Sequence, residues 1–384
     1  MKKTNYKVNK VCKVHKVGMP ILALCFIAFT FISLSAANAQ APAKGNAKTP
    51  AKKSSSKDTV KTIQVSPDQN AKMSYNSGLS DFSKGNYPSA LTNFTQAING
   101  NPKFEQAYVG RANTKFRQKD YQNAADDYKK ALGLDSNDEK AWYGYAQVQT
   151  VLGNNDQALI AFKRIVKKNS NNGDVWFCLG ELLAKSGLYK EALTDFTLAI
   201  SSKSGFAEAY NDRGVCNYQL GNYKAAVDDY RTALSFSKSA EAYNNMGNSE
   251  FKDSDFDGAI GAFGEALALK PNFPDAFNNR GTVYLAKKKY LDAISDFNKT
   301  LSMDSTNVYA YSNRAMAEYK MNNLVKAKAD CDQAIKLKPE YGPAYLNRGI
   351  IEELMRKPKD ACADWQKAIQ YGMAIANDYI TDCK

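Results

Sequence analysis

Few residue types in this 384-residue chain could do chemistry, and the most versatile one is nearly absent. The one histidine, His15, lies among the first 39 residues. The rest of the chain has no imidazole for a Ser-His-Asp or Cys-His nucleophilic site, for His-ligated zinc, or for proton transfer near neutral pH. Carboxylate chemistry stays open. Cys12 and Cys25 share the N-terminal segment with His15. Cys178, Cys216, Cys331, Cys362 and Cys383 follow at spacings that do not resemble a zinc site. What remains is charged and amide side chains at a fixed interval, whose chemistry is pairing and hydrogen bonding rather than turnover. The expectation is no enzyme, no catalytic residue, no cofactor and no metal.

The elements that position these residues come from length and composition. At 384 residues the chain has room for two or three ordinary domains or one long repeat array. With 44% apolar and 24% charged residues, most of it can fold. The formal net charge of +13 would suit a nucleic-acid binder, but its location argues otherwise. Residues 1–39 supply six lysines and no acid, and residues 40–70 supply six lysines against two aspartates. The repeats beyond residue 70 hold only the small remainder, so no nucleic-acid partner is expected.

Residues 1–18 are basic, residues 19–34 are almost wholly apolar, and Ala37-Asn38-Ala39 fits a small-x-small cleavage rule. Residues 1–39 therefore read as a secretory signal peptide cut before Gln40. The alternative is an uncleaved anchor, for which an apolar run of about 16 residues is short against the ~20 that span a bilayer. Cys25 follows Leu22-Ala23-Leu24, which puts a leucine where a lipoprotein motif needs a small residue. An exported protein is expected, in the periplasm or cell envelope or secreted, without an integral span after cleavage, and held at a membrane surface, if at all, through a partner. Residues 40–70, rich in Ala, Lys, Pro and Ser, cannot bury enough apolar surface to offset ordering and read as a disordered tether.

From residue 71 the chain repeats itself every 34 residues, as in Gly85-Asn86-Tyr87 and Gly221-Asn222-Tyr223, each followed by spaced alanines and an aromatic. Nine units fit, at 71–104, 105–138, 139–172, 173–206, 207–239, 240–273, 274–307, 308–341 and 342–372, the fifth one residue short. Position 4 is aromatic from Tyr108 to Tyr345. Position 8 is Gly or Ala and position 20 is always Ala. Position 24 returns a large ring from Phe94 to Trp365, broken only by Cys331. Apolar residues at helical spacing predict two helices per unit, with both aromatic rows in the core. The pattern resembles the tetratricopeptide repeat (TPR) family, whose unit is a 34-residue helix–turn–helix. The fold implied is an all-α, right-handed TPR solenoid of about nine repeats over residues 71–372. Residues 373–384 read as a capping helix. Unit one has Ser74 where an aromatic belongs, so its first helix is expected to fray.

Comparison among the nine copies singles out a pair. Position 7 is Arg and position 23 Asp together in five units: Arg111 with Asp127, Arg213 with Asp229, Arg280 with Asp296, Arg314 with Asp330, and Arg348 with Asp364. Three units lack both, and unit four has Asp195 opposite Leu179. This predicts structural ion pairs between the two helices of one repeat. Cys362 lies ten residues before Gly372 and Cys383 eleven after it. An antiparallel helix pair turning there would bring the thiols side by side, as a disulfide or as two free thiols.

In the TPR family the first helix of each unit lines a concave groove that often binds an extended peptide or a partner helix. Position 6 is Asn in the last four units, Asn245, Asn279, Asn313 and Asn347, with Asn211, Asn244 and Asn278 beside them at position 5. An amide that both donates and accepts can pair with any peptide backbone. The row resembles the asparagine ladders of some peptide-binding repeat proteins, although local hydrogen bonding alone would explain it too. The carboxylate clamp of chaperone-binding relatives is incomplete: Asn248 and Asn279 are suitable, but Asn244 replaces one Lys, and Tyr309 and Asn313 replace the other Lys and the Arg. The functional expectation is an interaction scaffold or adaptor of the cell envelope that binds a protein or peptide partner in the groove. The alternative is a structural spacer or assembly subunit using its convex face or ends.

Overall fold

The computed structural model describes residues 66–380 and 383. The expectations for the leader and for the tether up to residue 65 fall outside these residues. Among the described residues the structure is all-α, with eighteen α-helices in nine antiparallel pairs and no strand. The first six are α1 (Pro67–Ser83) with α2 (Tyr87–Gly100), α3 (Glu105–Arg117) with α4 (Tyr121–Leu134), and α5 (Glu139–Leu152) with α6 (Asn155–Lys168). Next come α7 (Gly173–Lys185) with α8 (Tyr189–Ser202), α9 (Ala207–Gln219) with α10 (Tyr223–Phe236), and α11 (Ala240–Lys252) with α12 (Phe256–Leu269). The last are α13 (Pro274–Ala286) with α14 (Tyr290–Met303), α15 (Val308–Lys320) with α16 (Leu324–Leu337), and α17 (Gly342–Leu354) with α18 (Pro358–Gln370). The chain divides at Ser170–Asn171 into two compact units, α1–α6 and α7 onward. Within each unit every helix packs on its sequence neighbours, which is how a repeat buries a face it cannot bury alone.

One backbone feature punctuates all nine pairs. Position 15, in the turn between the two helices, has positive φ in every repeat. Gly85, Gly153, Gly187 and Gly221 adopt it freely. Lys119, Ser254, Lys288, Asn322 and Arg356 adopt it at φ 59–70° against the steric preference of an L-residue. The turn is thus imposed by the packing of the hairpin and not by glycine alone.

Position 24 supplies the core. Phe94, Phe196, Tyr230, Phe263 and Phe297 have no solvent exposure, and Trp365 has 3%. Each ring fills the space left by a small residue on the first helix. A Cβ on Gly281, for example, would stand 2.8 Å from Phe297 Cε1. Cys331 keeps this place in unit eight, packed with Ala315, Ala327 and Ile351.

The position-4 rings are half-buried from Tyr108 to Tyr345, and Tyr108, Tyr243, Phe277, Tyr311 and Tyr345 pack against the fully buried core residues. Three expectations need correction. The tether stops short of residue 70: Ser66 and Gln69 form a reciprocal capping box and Pro67 opens the helix, so residues 67–70 are the first turn of α1. Nor does α1 lack an aromatic anchor, since Tyr75, one position on, packs 4.9 Å from Phe104 and 5.8 Å from Phe94 between ring centroids. Finally, residues 373–384 form no α-helix over their described part. Ala374–Asp378 is a 3-10 turn after Gly372, which has φ +86°. With only Ala376 buried in it, so short a segment has too little apolar surface to pay for a longer helix.

Candidate functional site

The first helix of each pair carries the polar residues singled out by sequence. The five arginines reach the aspartates on the second helix of the same pair. Arg111 donates from Nε and Nη2 to the two Asp127 oxygens, both at 2.8 Å, and Arg280 does the same to Asp296 at 2.8 Å. Arg213 reaches Asp229 at 2.6 Å, Arg314 reaches Asp330 at 2.8 and 2.6 Å, and Arg348 reaches Asp364 at 2.6 and 2.7 Å. All five aspartates are buried. The carboxylate hydrogen bonds push the Arg111, Arg280, Arg314 and Arg348 guanidiniums above their ordinary range.

The same arginines make a contact that the sequence comparison missed. The free Nη1 donates back to position 25 of the preceding repeat: Arg111 to Thr95 Oγ1 at 3.4 Å, Arg213 to Thr197 Oγ1 at 3.2 Å, Arg314 to Asn298 Oδ1 at 2.6 Å and Arg348 to Asp332 Oδ1 at 2.7 Å. Arg280 faces Gly264 there and has no such acceptor. Each arginine also lies over the position-4 ring of its own helix, 5.4–5.6 Å from the centroid. The signal was present in the sequence as acceptor side chains at position 25, but only the inter-repeat register shows what they face. Four of the five arginines thus bridge two repeats, and Arg280 binds only within its own.

The asparagines are largely engaged as well. Asn279 Nδ2 donates to Asn244 Oδ1 at 3.0 Å. Asn313 Nδ2 lies 3.4 Å from Asn278 Oδ1 and 3.3 Å from Thr282 Oγ1. Asn347 Nδ2 donates to Ser312 Oγ at 3.2 Å. Position 6 of one repeat thus stitches to position 5, and where possible position 9, of the repeat before it. Asn244 and Asn279 are each only 4% exposed. These two residues of the expected binding strip therefore pack on each other with little surface exposed. Asn211, Asn245, Asn278, Asn313 and Asn347 remain half-buried. Asn211 Nδ2 turns instead to Asp212 Oδ1 at 2.9 Å.

Family models for tetratricopeptide repeats match residues 75–139, 115–185, 207–238, 247–288 and 308–341, together more than half of the chain. The chain belongs to the tetratricopeptide repeat family.

Solved TPR structures resemble it in fold. The C-terminal part of a TPR repeat-containing protein from Cytophaga hutchinsonii matches with TM-score 0.51 and 18% identity, over 62% of this chain and 98% of that one. The APC/C hetero-tetramer Cut9-Hcn1 matches with TM-score 0.50 and 14% identity, over 80% and 75%. YrrB, a TPR protein with an unusual peptide-binding site, matches with TM-score 0.42 and 22% identity, over 48% and 95%. No curated protein sequence matches the chain. As a TPR array the chain is a protein-interaction scaffold in its general build, and among the described residues no helix is long and apolar enough to cross a membrane.

At the C-terminal end of the TPR array, Cys362 and Cys383 are joined by a disulfide, with Cα atoms 5.7 Å apart. The bridge holds Met373, Ala376 and Ile380 against Leu346, Trp365 and Ala368. Cys178, Cys216 and Cys331 are buried and form no disulfide among the described residues, and burial pushes the Cys216 thiol up to about 12. Among the described residues no group of histidine, cysteine or acidic side chains could hold a metal ion. In the α1–α6 unit, Glu105 is buried beside Asp138. Burial first, then the hydrogen bond with Asp138 and the negative charges of Asp138 and Asp135, raise its carboxyl to about 8.

Proposed function

We propose that the protein is an exported interaction scaffold or adaptor of the cell envelope, which binds an extended peptide or a partner helix along the first-helix face of repeats five to nine. The basic and apolar leader of residues 1–39 supports the envelope location. The observation that carries the binding role is the run of half-buried amides, Asn211, Asn245, Asn278, Asn313 and Asn347, on a face whose arginines each bind a buried aspartate of their own repeat. Such a face offers backbone-pairing groups without strong selection for side-chain charge, which suits recognition of an extended main chain.

A second reading has support of its own. Three of the four position-6 asparagines donate to the preceding repeat, which suits a stiff spacer that works through its ends or its other face. Affinity capture from envelope extract separates the two readings. The native protein and a variant with Asn245, Asn313 and Asn347 all changed to Ala are compared after circular dichroism confirms folding. A partner lost by the variant supports the groove adaptor, whereas one retained equally supports the spacer. Signal cleavage and location are checked by cell fractionation and the N-terminal sequence of the mature protein. A chain found in the cytoplasm rules out the exported reading, and one in the envelope still beginning at Met1 supports the uncleaved anchor.

A further inference from the structure

Unit three lacks the Arg–Asp pair, and its replacements leave an open site. In four other repeats the position-7 arginine spans from the position-23 aspartate to an acceptor at position 25 of the repeat before. In unit three all three places differ. Tyr145 stands at position 7, Ala161 at position 23, and Lys129 at position 25 of unit two. A notch of about 300 Å³ lies there, lined by residues of α4, α5 and α6. Tyr145 and Leu132 are its buried lining, and Trp142 and Ile160 stand nearer the surface, Ile160 with 58% exposure. The Tyr145 and Trp142 rings meet edge to face, 6.2 Å between centroids. Gly133 on α4 keeps the notch open, since nothing lies within 4 Å of where its Cβ would stand. At about 3.6 residues per turn, positions 4 and 7 point away from positions 5, 6 and 9, so the notch lies on the opposite side of the first helices from the amide row.

The rim carries one sign of charge. Lys129 sits over the Tyr145 ring at 6.0 Å and Arg164 over the Trp142 ring at 4.8 Å, each measured to the centroid. Arg164 Nη2 donates to the Ser136 carbonyl at 3.3 Å, and Lys168 Nζ, one turn on, donates to the Asn137 carbonyl at 3.1 Å. All three cations are exposed, and among the described residues none of them meets a carboxylate. Asp126, on the same helix as Lys129, makes no ion pair with it, and Asp135 accepts from Asn137 N of its own turn at 2.8 Å. The arginines of the five paired repeats differ, because a buried aspartate meets each of their charges directly.

We propose that this notch binds an acidic segment of a partner protein, which inserts one leucine- or phenylalanine-sized side chain between α4 and α6 and sets a neighbouring Asp or Glu against Lys129 and Arg164. Its volume is near the bottom of the range for ligand sites, about 300–1,000 Å³, and fits a single large side chain rather than a whole small molecule. Aromatic walls favour an apolar anchor, and a guanidinium with unused donors favours a carboxylate beside it. A membrane surface would need a continuous apolar row, whereas Asp156, Lys163 and Lys167 share the exposed side of α6 with Ile160. The site is independent of the amide groove, because no residue is common to both.

The test selects random dodecapeptides displayed on phage against the purified protein, then measures the enriched peptides by fluorescence anisotropy. The expected peptides carry a large apolar residue beside Asp or Glu, and changing either to Ala costs tenfold or more in affinity. Lys129→Gln with Arg164→Gln costs the same for these peptides. Lys129→Thr, Tyr145→Arg and Ala161→Asp together rebuild the ion pair that five other repeats already hold, and should abolish binding in a protein that circular dichroism shows to be folded. Gly133→Leu, at an exposed helical position, blocks the notch without touching the core and should do the same. Peptides without an acid, or indifferent to the two glutamines or to Gly133→Leu, overturn the proposal, as does a selection that yields none. Peptides weakened only by Asn313→Ala with Asn347→Ala belong to the groove and also overturn it. Sedimentation with phosphatidylcholine vesicles, with and without phosphatidylglycerol, runs beside the selection. Binding to the anionic vesicles that Gly133→Leu removes, with no peptide enriched, gives the notch to a membrane and overturns the partner segment.

Discussion

At the scale of single residues, the five arginines differ in ways that a repeat consensus hides. Arg348 binds two carboxylates, Asp364 and Asp332, whereas Arg280 binds Asp296 alone because position 25 of the preceding repeat is Gly264. Arg348→Ala should therefore lower stability more than Arg280→Ala. In each pair, removing one partner should cost about 1–3 kcal/mol and removing both should cost less than the sum, since a lone buried charge is the expensive state. Urea unfolding of the double-mutant cycle measures this. Gly264 has open space around an added Cβ. Gly264→Asn supplies the missing acceptor and a better helix former, and should raise stability by about 1 kcal/mol. Glu105 gives a pH effect of determinate sign. Its folded carboxyl titrates at about 8, above the ordinary 4.5, so the folded state holds the proton more tightly. That contribution is complete below about 4.5 and is lost as pH rises through about 8. Hydrogen exchange in α3 and α5 should accelerate across this window, and Glu105→Gln should flatten the dependence.

At the scale of helices and turns, the positive φ at position 15 is the strained element of the array. Lys288 adopts φ 61° without the freedom of glycine. Lys288→Gly relieves a cost of about 1–2 kcal/mol and gives back part of it as unfolded-chain entropy, so the melting temperature should rise by a few degrees at most. A loss of stability on this change would show that the Lys288 side chain contributes more than its backbone costs. Periodicity in the sequence showed where this turn falls. It did not show that five of nine turns hold a non-glycine residue in the left-handed region, because the hairpin packing on either side dictates that conformation.

For the whole molecule, stability accumulates from neighbour to neighbour, so the ends matter most. The N-terminal end is fixed by the Ser66–Gln69 capping box and by Tyr75 against Phe104. The C-terminal end is fixed by the Cys362–Cys383 bridge, which closes a separation of 21 residues over a small apolar cluster. Reduction, or Cys383→Ser, should cost about 3 kcal/mol locally. Amide protection should fall in α17 and α18 while α9 and α10 keep theirs. Intact mass after alkylation, with and without prior reduction, reports the bridge directly.

Spacing alone determined the helix pairs, the small residues beneath the position-24 rings and the pairing of Arg with Asp. All of these lie within one 34-residue unit, where local periodicity and a short turn leave little freedom. Contacts between units were decided only by tertiary structure. Spacing did not reveal that four of the arginines reach back to position 25, or that Asn244 and Asn279 bury each other. Nor did it reveal that the position-4 rings are only half-buried. These depend on the offset between successive hairpins, which summed packing sets and no single residue encodes.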